Sequence, residues 1–161
     1  MADFTVGVFA YDGFRDLGGQ SFTPNVPGPN GTGTPGTATQ VFLRSISLGY
    51  PNSNTALRTG KIFVYAQELT DPDQIGQLDY LVGQSGTQVI DGTDLFGSGT
   101  YYRKFSITAG LVPSSKYFIY FEDYQSLRYK GSSPYSGGYA QDDSLVDLPT
   151  VSAQFQVEMY T

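Results

Sequence analysis

Histidine and cysteine are both missing from this 161-residue chain, which removes two large bodies of chemistry. Serine–histidine–aspartate catalysis needs an imidazole base, and thiol catalysis needs a sulfur nucleophile. A zinc site would need all-carboxylate ligation, which is unusual. The remaining chemistry is that of carboxylates and phenols. The acids are Glu68, Asp71, Asp73, Asp79, Asp91, Asp94, Glu122, Asp123, Asp142, Asp143 and Asp147, with a few outside this stretch. Two of them could serve glycoside hydrolysis if the fold set them about 5 to 9.5 Å apart in a cleft. Nothing in their spacing brings two together. Most stand beside Gly, Pro or Ser, where an aspartate bonds to nearby backbone and stabilises a turn. Loop oxygens also suit Ca2+, which takes six to eight of them. Asp142, Asp143 and Asp147 are the leading candidates for such a metal site, ahead of Asp71/Asp73 and Asp91/Asp94. No twelve-residue helix–loop–helix calcium pattern is present, and no cofactor other than that candidate calcium is expected.

The phenols gather toward the C-terminal third. In RYKGSSPYSGGYAQDD (128–143), tyrosines alternate with glycine and serine. Tyr124, Tyr129, Tyr135 and Tyr139 are candidate ligand or partner contacts, because an aromatic face stacks on sugars and anchors protein interfaces at modest entropy cost. The competing reading is that these rings, with Tyr120, pack over a sheet. The glycine-rich GPNGTGTPG (28–36) lacks the lysine and following helix of a phosphate loop.

The elements that must position these residues read as strands. In VSAQFQVEMYT (151–161), Val151, Ala153, Phe155, Val157 and Met159 alternate with polar residues, the period of a half-buried strand. Phe4, Val6 and Val8 alternate similarly. Phe42, Ile46 and Leu48 are expected on one face, Ile62, Val64 and Ala66 on another, and Tyr101, Phe105 and Ile107 on a third. KYFIYFED (116–123) is apolar on both sides, which predicts a central strand covered twice or one with an exposed aromatic face. A weaker strand is expected at TQVID. Thr70-Asp71-Pro72 ahead of Ile75, Leu78 and Leu81 has the cap and proline of a short helix, opposed by Gly76 and Gly83. About eight strands with turn signals between them predict an all-β antiparallel sandwich, jelly-roll-like, in a single domain 1–161. Residues 24–37, rich in Pro and Gly, are expected to form a flexible loop or arm.

Only 15% of residues are charged and the net charge is −6. No basic run exceeds two residues, which argues against nucleic acid, whose binding depends on clustered Lys and Arg. No apolar window is long enough for a membrane-spanning helix, and MADFTVGVFAYDG lacks the pattern of a secretory leader.

Three pieces of the C-terminal third resemble bacterial and phage jelly-roll β-sandwich modules: LVPSSKYFIYFE (111–122), PYSGGYA (134–140) and Asp147-Leu148 before the last strand. That resemblance implies a jelly roll of the kind found in carbohydrate-binding modules and in phage tail, fibre and capsid-decoration proteins. Pro149 and Thr150 depart from the pattern. The expectation is a non-enzymatic virion component, assembled in the host cytoplasm with other virion subunits and forming a homo-oligomer, a trimer by expectation. The Pro/Gly arm suits such contacts, since it can order across a neighbour. The alternative is an extracellular carbohydrate-binding module that grips glycan with loop tyrosines, with or without calcium. A carboxylate-pair glycosidase ranks third.

Overall fold

Alternation of apolar and polar side chains becomes antiparallel strands throughout. The computed structural model describes residues 3–8, 10–25, 40–50, 58–90, 101–132 and 134–161. The strands are β1 (Asp3–Val8), β2 (Gly13–Phe22), β3 (Val41–Tyr50), β4 (Arg58–Gly60), β5 (Ile62–Tyr65), β6 (Leu81–Gln84), β7 (Gln88–Ile90), β8 (Tyr101–Leu111), β9 (Tyr117–Lys130), β10 (Ala140–Gln141), β11 (Asp147–Leu148), β12 (Ser152–Ala153) and β13 (Phe155–Tyr160). The sequence predicts about eight; the difference is made of two- and three-residue pieces. Of the expected arm at 24–37, only Pro24 and Asn25 fall within the described residues.

One sheet has the order β1-β13-β3-β8, the other β11-β10-β2-β9-β5-β6 with β12 also on β9, and β4 and β7 form a separate ribbon. Eight strands carry the architecture. They pair in nested fashion: β5 with β6, β3 with β8, β2 with β9, and β1 with β13, all antiparallel. The chain is thus one long hairpin rolled so that successive pairs fall in opposite sheets.

The core lies between the sheets. Leu17, Phe22, Leu43, Ile46, Leu48, Ile62, Val64, Phe105, Ile119, Phe121, Phe155 and Val157 are among its buried members. Apolar area removed from water at about 25 cal/mol per Å2 is the main stabilising contribution. At one side the sandwich closes where β6 meets β8: a Cβ on Gly83 would lie 3.3 Å from the Ala109 Cβ. At the other side β1 is the last strand of its sheet.

The both-sided strand is as expected. In β9, residues 117–121 are all buried, with Tyr117, Ile119 and Phe121 in the main core and Phe118 and Tyr120 in a second cluster on the outer face. β9 also has a large irregularity against β2: Tyr120 to Gln125 is five steps where Gly19 to Leu17 is two.

Four expectations need correction. Phe42 does not share a face with Ile46 and Leu48. β3 is irregular at Arg44, where Leu43 and Ser45 face consecutive residues of β13. That extra residue, a bulge, changes the phase, so Val41 and Leu43 face the core before it and Ile46 and Leu48 after it. Phe42 instead stacks on Tyr160, ring centroids 5.3 Å apart. Second, the helix after Thr70 is only a 3-10 turn, Pro72–Gln74, capped by the Asp71 carboxylate. Gly76 adopts φ +94°, a conformation that ends right-handed helix. Third, the C-terminal alternation is not one strand. β12 belongs to one sheet and β13 to the other, and the chain crosses between them at Gln154. Fourth, Ala66, expected in line with Ile62 and Val64, lies beyond β5 and is exposed.

Candidate functional site

The outer face of the seven-strand sheet carries a second apolar cluster. Phe63 and Tyr65 from β5 and Phe118 and Tyr120 from β9 stand on it, and Leu69 and Leu145 from two covering loops close over them. Buried polar groups hold those loops down. The Tyr120 hydroxyl accepts the Leu69 N–H at 2.7 Å, and the Gln141 side-chain amide donates to the carbonyls of Leu69 and Leu145, both at 3.1 Å. The Tyr65 hydroxyl donates to the Gln77 carbonyl at 2.7 Å and accepts from the Gly76 N–H at 2.9 Å. Leu145 has φ +59°, a strained value for a branched side chain, and uses it to bury itself.

At the rim of this cluster four chemical groups meet. Glu68 follows β5, Lys116 precedes β9, Tyr139 precedes β10, and Asp147 opens β11. The Tyr139 hydroxyl donates to Glu68 Oε1 at 3.1 Å, and the Lys116 ammonium lies 5.0 Å from the centre of the Tyr139 ring. Glu68 is pushed up to about 7, first by desolvation and then by its hydrogen bond to Asp147 and that residue's charge, against the opposing Tyr139 bond and Lys116. Two carboxyls this close cannot both ionise cheaply, so the pair retains a proton. The Tyr139 phenol is raised to about 12, first by desolvation and then by the charges of Glu68 and Asp147. Chemically, this site holds and releases one proton near neutrality.

Local sequence pattern does not reveal this pair. By residue type and spacing Asp147 reads as a metal ligand and Glu68 as a turn acid. The two come together because the β10–β11 hairpin folds against the loop after β5, a contact no local spacing encodes. A cavity of about 390 Å3 on the same face is lined by Asp73, Ile75, Glu122, Asp143 and Leu145 with Gly18 and Pro72, and by neither member of the pair.

The other predicted residues are dispersed. Asp142 Oδ1 accepts the N–H groups of Ser144 and Val146, each at 2.9 Å, and so shapes its own turn. Asp143 is exposed and borders the cavity, while Asp147 faces Glu68. Asp142, Asp143 and Asp147 therefore do not converge as a calcium donor set, and no group of three or more acids among the described residues does so. Asp91 and Asp94 lie outside the described residues.

The three tyrosines whose side chains are described, Tyr129, Tyr135 and Tyr139, do not share a platform. Tyr135 packs edge-on against Phe155 with centroids 5.2 Å apart, and its hydroxyl accepts the Thr23 N–H at 3.2 Å. Tyr129 packs on the main core with the Arg15 guanidinium 5.6 Å from its ring centre. Tyr139 belongs to the outer cluster. Tyr124 lies in the irregular part of β9, and its side chain is outside the described residues.

No protein-family model and no curated protein matches this sequence.

Proposed function

We propose that this protein is a non-enzymatic assembly subunit, a phage virion component of the capsid-decoration or fibre kind, acting through contacts made by its sandwich with other virion subunits. The nested, rolled pairing of the eight main strands supports the jelly-roll reading of the fold. The observation that carries the functional reading is on the loops over the outer cluster. Leu78 is 81% exposed, Tyr80 64% and Val146 57%, while the first loop is pinned by Tyr65 and Tyr120. Tyr80 holds φ +62°, a left-handed conformation uncommon for a side-chain-bearing residue. Apolar side chains held out on fastened loops resemble the anchors of protein interfaces, where tyrosine is enriched. Tyr129, Tyr135, Tyr139 and Asp142, expected to bind ligand, are engaged in packing and turn-making, which also favours a structural role.

The test is the assembly state of the full chain by size-exclusion chromatography with light scattering, alone and with co-expressed virion proteins. The expected result is a defined oligomer, or a stable complex with virion proteins that Leu78→Asp with Tyr80→Ala disrupts. A monomer that binds no virion protein removes the reading.

The carbohydrate-binding alternative keeps one favourable observation, the exposed Tyr80 ring. A glycan array with and without Ca2+, repeated on Tyr80→Ala, tests it. Binding lost in the variant would displace the assembly reading.

A further inference from the structure

Among the described residues, the β1 edge of its sheet is open and carries two unmet requirements on one strand. β1 is six residues long and pairs on one side only, with β13, among the described residues. Its inward row, Phe4, Val6 and Val8, is only half-buried, although Phe4 and Val6 pack against the main core. The opposite flank of the sandwich, by contrast, is closed by β6 against β8. Free edges are normally blunted by lysine, proline or a bulge. β1 has none of these: its register with β13 runs unbroken from Asp3 to Val8, and its one charge, Asp3, is paired with Arg44 at 3.4 Å.

We propose that β1 is a homotypic pairing edge: a second copy of this chain adds its own β1 antiparallel, centred on Val6, to make one continuous sheet across a twofold axis. This rests on the assembly reading and places twofold symmetry where a trimer was expected. The occupant is set by the pattern. Across an antiparallel pair, directly opposite residues point to the same face. A strand added here must therefore offer apolar residues opposite Phe4, Val6 and Val8 and small polar ones opposite Thr5 and Gly7. β1 itself does so in the register that sets Val6 against Val6, Phe4 against Val8, and Thr5 against Gly7. The same register keeps the two Asp3 carboxylates at opposite ends of the ladder. Isologous contacts of this type close on themselves and stop at the dimer.

Cysteine placement reads the register directly, because the natural chain has no cysteine. In Val6→Cys the two thiols would face each other with Cβ atoms about 5 Å apart, close to disulfide geometry. In Thr5→Cys each thiol would face Gly7. Under mild oxidation of the full-length protein, Val6→Cys is expected to crosslink about tenfold faster than Thr5→Cys, with both variants checked for the native circular dichroism spectrum. Light scattering on the unmodified chain is expected to give a dimer. An oligomer in which Val6→Cys crosslinks no faster than Thr5→Cys overturns β1 pairing and leaves the assembly reading standing. A chain that stays monomeric at every concentration, and crosslinks at neither position, overturns β1 pairing; if it also takes up no virion partner, the assembly reading falls too.

Discussion

The Tyr139 hydroxyl donates to Glu68 Oε1 at 3.1 Å, and this bond ties the hairpin that follows β9 to the loop that follows β5. The acceptor is itself one half of a carboxyl pair with Asp147, so the strength of the tie depends on proton occupancy.

The direction of that dependence is fixed by linkage. Glu68 is raised from its ordinary 4.5 to about 7 in the fold, so the folded state binds a proton that the unfolded chain has released. The stability contribution is complete below about pH 4.5 and is lost as pH rises through about 7. Denaturant melts across this window are expected to show falling stability for the natural chain and a flatter profile for Glu68→Gln. Equal slopes would refute the shared proton.

The neighbours of Glu68 tune it in opposite directions. Asp147→Asn removes the like charge and is expected to bring Glu68 down toward 4.5. Tyr139→Phe removes a bond that favours the ionised form and is expected to push Glu68 higher still. Carboxyl carbon chemical shifts in an NMR titration of the three proteins would order them; any other order would contradict the geometry described.

Asp12, in the turn between β1 and β2, accepts from the N–H groups of Gly131 and Ser132, each at 2.8 Å, and from Lys130 at 3.2 Å. These bonds, the Ser132 and Gly131 backbone donors first, hold its carboxyl well below the usual range. Its contribution is present above the unfolded value of 3.8 and fades as pH falls below it. Asp12→Asn is expected to lower the melting temperature at pH 7 and to narrow the gap from the natural chain in strong acid. A constant gap would show that charge has no part.

Tyr135 serves two ends. Its ring packs on Phe155 and its hydroxyl engages the Thr23 backbone, while Thr23 Oγ1 donates to the Gly137 carbonyl at 2.8 Å. Tyr135→Phe is expected to cost about 1 kcal/mol, the worth of one hydrogen bond. Tyr135→Ala, which also opens a partly buried gap, is expected to cost about 3 kcal/mol. Chemical denaturation separates the two, and equal losses would place all the stabilisation in the hydroxyl.

How much of this is legible in the residues varies with the range of the contact. The alternation in β1, β8 and β13 and the two-sided apolar run of β9 depend on strand geometry alone, and they can be read directly. Phe42 cannot be placed that way, because the single extra residue at Arg44 reverses the faces on either side of it and leaves no mark in the composition. The 3-10 turn resembles a helix start because Asp71, Pro72 and Gln74 form a genuine cap; Gly76, one turn later, decides that no helix continues from it. Tyr129, Tyr135 and Tyr139 lie close in sequence, yet the fold assigns the first two to the core between the sheets and the third to the outer cluster. The Glu68–Asp147 pair is beyond reach, since their meeting depends on where a distant hairpin lands.

The crossing at Gln154 bears on how the molecule is made. β12 completes one sheet and β13 is inserted between β1 and β3 in the other. β1 therefore cannot pair until β13, about 150 residues further along, has been made, and Phe4 and Val6 stay uncovered until then. Such long-range closure is slow, and a nascent chain with that apolar row exposed is a natural client for chaperones.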